Sequence, residues 1–467
     1  MIATTKHLHV LLSGAHIGML EEDRAGSHML TYDSLDVTPL SLGLPLRREP
    51  WTGTPVEAYI DGILPDDPAI RNGIGRIHGV NPRNPFALLT AIGLDCGGAV
   101  QFMTDEQYAT WQSGNAPADS IYRELSAERI GERLASLVNG TASSWQMPQE
   151  HWSLNGAQSK IALAYDPHGD RWYEALGSAA TTHILKPGVN GLHEQSFDEY
   201  LCMRIVRALG LPTASVQYRR FGTMSALVSK RWDRAWLPEE GHQTVHRIHQ
   251  EDMCQAMGVM TAFKYQNEGG PGAAAIVRFM RENGFHEDDV AMFYGALVVN
   301  YYLGGSDAHA KNYAILEPPG EAPRLAPLYD IASLYPYQPG RKQFRMAMSI
   351  GHDYRWDRIG LRSWRELARQ SGNPDDFDVL VVMLRRYARI LPDMARSIGR
   401  ESLQTARALP GENEESLARK QRIAERVLEG VEAQIQRVTH EFNPASNGIG
   451  HQSDSPPEWL RSRDSPR

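Results

Sequence analysis

Near Arg234 the chain changes its apolar period, and that change restricts the fold more than any other single feature. Before it, short extended runs dominate. His7–Leu12 and Ile17–Leu20 flank Ser13-Gly14 as the arms of a hairpin, Ile161–Tyr165 and His183–Lys186 stand on either side of the turn DPHGD, and Val216–Tyr218 and Ala226–Val228 read as two further strands. Helical spacing interrupts this half over 55–74, with a proline break, and over Pro85–Ile92 and Glu106–Val138. A strong helix is expected over Glu199–Leu209, where Leu201, Ile205, Val206 and Leu209 share a face before Gly210 and Pro212 end it. Beyond Arg234 helices take over, at 250–257, 272–282, 290–303, 364–371, 377–398 and 416–441. A strand-rich half followed by a helical one predicts an α+β architecture with a cleft between lobes.

At 467 residues the chain exceeds one ordinary core, so two or three units are expected. A first boundary falls near 140–148, and the stretch 443–467, rich in Ser, Pro, Gly and charge, reads as a disordered tail. A net charge of -8 excludes a broadly basic nucleic-acid-binding protein, leaving only a local patch for such contacts. Cys96, Cys202 and Cys254 are too few and too scattered for a disulfide framework or a zinc site, and read as buried thiols. The most apolar run, Val290–Leu303, is shorter than the roughly 20 residues of a membrane span, and the start lacks a signal-peptide pattern. A cytoplasmic protein without membrane contact is expected.

The chemistry concentrates in NYYLGGSDAHAKNYAILEPPGEAPRLAPLYDIASL, residues 300–334. An apolar helix ends at Gly304-Gly305, and the following loop presents Asp307, His309, Lys311 and Asn312. Two extended segments, 313–316 and 324–328, joined by Pro-Pro-Gly, then form a hairpin that returns Asp330 to the end where Asp307 and Asn312 lie. Phosphoryl transfer from ATP needs one carboxylate to take the proton of the attacking hydroxyl, and an asparagine with a second carboxylate to hold Mg²⁺. D-x-x-x-x-N is the spacing protein kinases use; alone it would equally suit a turn, and the ordered helix, loop, hairpin and second Asp favour the chemical reading.

Lys186, at the end of the apolar strand His183-Ile184-Leu185, is a candidate cation for the α- and β-phosphates. Glu199, read as opening the next helix, is its candidate partner, with Glu194 and Asp198 as equal alternatives. The turn Ser153-Leu154-Asn155-Gly156-Ala157-Gln158-Ser159-Lys160 precedes a strand and suits a phosphate cover, although it matches neither common glycine-rich motif.

These stretches together resemble the HipA family of type II toxin kinases. The resemblance is carried by PLSLGLPL (39–46), ILPDDPAIR (63–71), LNGAQSKIAL (154–163), HILKP (183–187), GGSDAHAKN (304–312) and LAPLYDI (325–331), and spans most of the chain. It implies a bilobal protein-kinase-like fold with an N-terminal subdomain over 1–148, a nucleotide-binding lobe over 149–235 and an all-helical lobe over 236–442. It implies an ATP- and Mg²⁺-dependent serine/threonine protein kinase with Asp307 as catalytic base, Asn312 and Asp330 as Mg²⁺ ligands and Lys186 on the nucleotide phosphates. By the same resemblance Gly156, Ala157 and Gln158 form the phosphate loop, and Ser153 occupies the place of an inhibitory autophosphorylated serine, with Ser159 a nearby alternative. Lys311 is a candidate γ-phosphate contact and His309 a structural residue. Adenine is expected against Trp232 and Tyr329, with Lys230 standing where the family's hinge carries an acidic residue. Asp233 reads as the partner of a neighbouring arginine. The implied partners are a HipB-like helix-turn-helix antitoxin, through which the chain reaches operator DNA, and a protein substrate such as an aminoacyl-tRNA synthetase. The alternative is a catalytically silent co-repressor that binds the antitoxin.

Overall fold

Ser13 and Gly14 both take positive φ, 50° and 79°, the conformation that turns a two-residue hairpin with the twist of its strands. β1 (Lys6–Leu12) and β2 (Ala15–Glu22) therefore pair as the sequence predicts, from Lys6↔Glu22 to Leu12↔Ala15. The computed structural model describes residues 6–113, 121–140, 144–239, 242–318, 320–338 and 344–439, so the tail read over 443–467 lies outside the described residues. Two units emerge. Unit 1 comprises 1–190, 220–264 and 314–326, and unit 2 comprises 191–219, 265–313 and 327–467.

In unit 1, β3 (His28–Tyr32), β4 (Trp51–Thr52) and β5 (Val100–Met103) complete a sheet of order β4-β3-β2-β1-β5. Against it pack α1 (Thr54–Ile63), α2 (Pro68–His78) and α3 (Pro85–Ile92), burying Val10, Leu12, Tyr59, Ile60, Leu88 and Phe102 in one core. The proline break falls between α1 and α2. Asp67 caps α2 by accepting from the Ala69 N–H, and Pro68 occupies the first turn, where no N–H is needed.

The polar stretch 106–138 is not one helical run. α4 (Asp105–Ser113) and α5 (Ala127–Val138) enclose β6 (Tyr122–Leu125), which pairs with β8 from Tyr122↔Ala175 to Leu125↔Trp172. β7 (Ile161–Asp166), β8 (Arg171–Ala175) and β9 (His183–Lys186) follow, so the strand across the DPHGD turn is β8, with β9 one strand further on. The second sheet runs β10-β11-β9-β7-β8-β6. The chain passes from unit 2 back into unit 1 within β10 (Val216–Phe221), and β11 (Met224–Lys230) pairs directly with β9.

The segment read as a helix over 250–257 is divided. After the hairpin of β12 (Arg234–Glu239) and β13 (His242–Arg247), β14 (Gln250–Asp252) pairs with β15 (Ala314–Leu316), and only Met253–Ala256 is helical, α7. Asp252 ends the strand because its side chain caps α7 in a box with Gln255. β16 (Arg324–Leu325) completes the small sheet, giving the predicted hairpin with Ile315↔Leu325 in register.

Unit 2 is helical around α9 (Glu287–Leu303), with α6 (Gln195–Ala208), α8 (Ala273–Glu282), α10 (Leu361–Gln370), α11 (Asp376–Arg407) and α12 (Glu414–Thr439). α9 is apolar on every side and buried along nearly its whole length, as an all-round apolar helix must be. α11 carries Pro392 within it and continues to Arg407, nine residues past the predicted end at Ile398. A hairpin of β17 (Arg345–Ile350) and β18 (Asp353–Arg355) adds one extended element that the apolar spacing does not reveal. All three cysteines are buried and free, and no helix among the described residues is long and apolar enough to cross a membrane.

Candidate active-site residues

Gly304 ends α9 in the left-handed conformation, φ 73°, and a Cβ there would stand 2.9 Å from the Tyr335 ring. At Gly305 a Cβ would stand 2.0 Å from Oδ1 of Asn300, so the pair of glycines is dictated by close packing as well as by the turn. The loop beyond wraps around one carbonyl. Asp307 O accepts from the His309 N–H at 2.8 Å and from Asn312 Nδ2 at 2.7 Å, and Asn312 N–H reaches His309 O at 2.9 Å. His309 and Lys311 are buried, while the Asp307 side chain is 69% exposed. Tyr265 donates its hydroxyl hydrogen to Oδ1 of Asp307, and its ring meets His309 edge-on at 4.8 Å.

The second acidic residue is fixed from both sides. Upstream, Leu328 N–H donates to Pro212 O and Leu328 O accepts from Ala214 N–H, both at 2.9 Å. Tyr329 donates to Lys311 O at 2.7 Å, which ties the segment bearing Asp330 to the loop bearing Asp307 and Asn312. Asp330 itself has φ 58°, a left-handed conformation that costs a non-glycine residue on the order of 1 kcal/mol and recurs at functional positions. Downstream, Ser333 N–H donates to Oδ2 of Asp198 at 2.9 Å. Burial pushes the Asp198 carboxyl up to about 8.

Chemically these side chains suit a hard divalent cation. Asp307 and Asp330 are carboxylates. Asn312 commits Nδ2 to the Asp307 carbonyl, which turns its Oδ1, the atom a Mg²⁺ would need, away from that bond.

Unit 1 carries Lys186 and the loop candidates. Lys186 closes β9 opposite Leu227, between β11 and β7, and is 8% exposed. The loop before β7 is folded down. Ser153 is fully buried: its Oγ donates to Ile63 O at 3.0 Å, and its N–H donates to Asp95 O at 2.9 Å. Gly156, φ 94°, gives its N–H to Asp66 Oδ1 and receives the Asp66 N–H on its carbonyl, both at 3.1 Å, so this amide is already committed. Ala157 is exposed, Gln158 and Ser159 are half-buried, and Lys160 turns back to Asn155 O at 2.5 Å. Lys230 is exposed at the end of β11, and the Trp232 indole donates to Gln250 at 2.8 Å.

Beneath this loop lies a buried ion network. Asp95 meets Arg234 at 2.9 Å and Arg247 at 3.0 Å, and Asp233 meets Arg231 at 2.7 Å and Arg234 at 2.9 Å. Burial alone would raise the Asp95 carboxyl, but the three guanidiniums hold it well below the usual range. Asp233 is thus the arginine partner the sequence predicts.

One expectation changes. Glu199 does not open a helix; α6 begins at Gln195 and places Glu199 in its second turn, buried. Within unit 2, Glu194 is engaged by Arg419 at 3.3 Å and Lys420 at 3.2 Å, and Asp198 accepts from the Ser333 N–H. Neither the contact of Asp66 with the loop nor that of Tyr265 with Asp307 is read from the sequence. The doubled acid of PDDP was the available signal for Asp66, since only one of the pair is needed as a cap.

The family model described as HipA N-terminal domain matches residues 8–103, and that described as HipA-like C-terminal domain matches 152–436. Putative kinase Y4mE of Sinorhizobium fredii is 32% identical over 403 residues, covering 85% of this chain and 92% of its own length. The serine/threonine-protein kinase toxin HipA of Shewanella oneidensis is 29% identical over 408 residues, covering 84% and 88%. The solved complex of Shewanella oneidensis HipA, HipB and operator DNA is similar at a TM-score of 0.75 and 25% identity, covering 93% of this chain and 97% of that one.

Proposed function

The chain belongs to the HipA family and is a kinase; we propose that it transfers the γ-phosphoryl group of ATP to serine or threonine hydroxyls as the toxin of a type II toxin-antitoxin pair. The observation that carries this reading is Asp307, a carboxylate exposed to incoming substrate yet held on a loop closed around its own carbonyl. In the proposed reaction the attacking oxygen forms a bond to the γ-phosphorus as the bond to the β,γ-bridging oxygen breaks, and Asp307 takes the hydroxyl proton. Asn312 through Oδ1 and Asp330 would hold Mg²⁺, which when bound offsets phosphate charge. Lys186 is assigned to the α- and β-phosphates and Lys311 to the γ-phosphate, with Trp232, Tyr329 and Lys230 about the adenine.

The Gly156–Gln158 turn is proposed as the phosphate cover, which requires the Gly156 N–H to exchange Asp66 for phosphate. Ser153 is proposed as the autophosphorylated residue. Because its hydroxyl is buried against Ile63 O, modification requires the segment to leave its seat, and a dianionic group there prevents its return. A HipB-like partner is supported by the complex in which the Shewanella oneidensis protein was solved, and contact with operator DNA would pass mainly through that partner. A translation component such as an aminoacyl-tRNA synthetase is the proposed substrate.

Incubation with γ-labelled ATP tests the reading. Mg²⁺-dependent transfer of label to a serine of the chain is expected. No transfer, with binding to a HipB-like antitoxin retained, contradicts it in favour of the co-repressor.

A further inference from the structure

On the N-terminal sheet of unit 1, His7 and His9 lie two residues apart on β1, so both rings stand on one face. Asp105, the first residue of α4, meets both. Its Oδ1 is 2.9 Å from Nε2 of His7 and 2.9 Å from Nε2 of His9. The contacts continue along the sheet: Nδ1 of His9 is 2.9 Å from Nε2 of His16, and Nδ1 of His16 is 2.6 Å from Oδ2 of Asp33.

The file Asp105, His9, His16, Asp33 has three polar contacts, each needing one hydrogen. Its ends are carboxylates, which when ionised only accept, and two neutral imidazoles bring one N–H each. Asp33 fixes the hydrogen of His16 on Nδ1. Nε2 of His16 then accepts from Nδ1 of His9, which leaves Nε2 of His9 a bare lone pair facing a carboxylate oxygen. Closing the file takes one further cation, a proton or a metal ion.

The surroundings select between them. Nε2 of His7 converges on the same carboxylate oxygen, and the ligand atoms of His7, His9 and Asp105 all lie within 4.8 Å of one another. Tyr108 stacks on the His9 ring at 4.1 Å between centroids, so the ring is aimed, and the hydrogen bond from His9 Nδ1 to a partner itself anchored on a carboxylate is the outer-shell arrangement of metal-ligating histidines. Asp105 is 72% exposed and His7 39%, which leaves the group open to an ion from solvent.

We propose that His7, His9 and Asp105 form a binding site for a divalent transition-metal ion of the Zn²⁺ class, with His16 and Asp33 as residues that position His9. Two imidazoles and one carboxylate suit Zn²⁺, Ni²⁺ or Cu²⁺ rather than Mg²⁺ or Ca²⁺. Tetrahedral Zn²⁺ places its ligand atoms about 3.3 Å apart, so the 2.9 Å contacts need to open by only a few tenths of an ångström. Solvent supplies the fourth ligand. The site joins β1 to the start of α4 and is independent of Asn312 and Asp330.

The test is calorimetric titration of the full chain with Zn²⁺ at pH 7.5 in excess Mg²⁺, which occupies sites of hard oxygen donors. One equivalent is expected in the wild type. His9→Gln and Asp105→Asn each remove that equivalent, while Asp33→Asn retains it at about 10- to 100-fold lower affinity. Thermal unfolding without metal verifies that the variants fold. Absence of a Zn²⁺ equivalent in the wild type, or equal affinity in His9→Gln and Asp105→Asn, overturns the proposal. So does an NMR titration in which His9 is an imidazolium whose signals ignore added Zn²⁺, because a proton then closes the file.

Discussion

Tyr265 gives its hydroxyl hydrogen to Oδ1 of Asp307, a carboxylate whose side chain is 69% exposed. The tyrosine is itself set by its edge-on contact with His309, so a buried histidine positions an exposed acid through an intermediary ring. Tyr265→Phe keeps the ring contact and removes the hydrogen bond. A fall in kcat of about tenfold with KM for ATP nearly unchanged is expected, corresponding to one hydrogen bond of about 1.4 kcal/mol made in the reacting complex. Steady-state kinetics measures it, and a change confined to KM would assign Tyr265 to binding.

The autophosphorylation proposed for Ser153 requires the loop to have two states. Ser153→Ala loses one buried hydrogen bond, worth about 1 kcal/mol, and should still bind ATP. Ser153→Asp places an uncompensated charge where the hydroxyl is fully buried, so the loop over 154–160 should become protease-sensitive and ATP affinity should fall at least tenfold. Phosphopeptide mapping after incubation with ATP should find phosphate on Ser153, and phosphate on Ser159 alone would show that the half-buried serine is the acceptor.

What the sequence reveals follows the range of the interactions. The loop after α9 is legible because Asp307 and Asn312 act on one another within a few residues, and the hairpin of β15 and β16 because its two strands lie close in the chain. Asp233 is legible through Arg231 and Arg234 beside it, whereas Asp95, 139 residues before Arg234, is not. Asp66 meets Gly156 across 90 residues and Tyr265 meets Asp307 across 42, so neither role leaves a local trace. β6 is hidden for another reason: Tyr122–Leu125 has no buried residue, and the strand forms because β8 offers it an edge. The helix start at Gln195 is missed because Glu194 takes φ 58° with no side-chain cap to announce it.

Glu251 and Glu317 are buried side by side and hydrogen-bonded to each other, with Ser41 and the Leu42 N–H on Glu251 at 2.6 and 2.8 Å. Burial pushes Glu317 up to about 7, and burial together with its neighbour's charge pushes Glu251 well above the carboxylate range. The folded chain therefore keeps a proton that the unfolded chain releases above its ordinary value of 4.5, and stability must fall as pH rises from there toward 7. Glu317→Gln mimics the protonated acid and should flatten this slope, recovering on the order of 3 kcal/mol near pH 8. Denaturant unfolding at pH 5 and pH 8 measures the difference, and parallel slopes in both proteins would refute the shared proton.

The proton-accepting role proposed for Asp307 is tested most directly by single-turnover transfer from ATP in Asp307→Ala beside the wild type, with nucleotide affinity measured on the same samples. The expected result is retained Mg²⁺-dependent ATP binding, within about tenfold, and a transfer rate lower by at least about a thousandfold. Transfer within tenfold of the wild type in a variant that binds ATP normally would contradict the account.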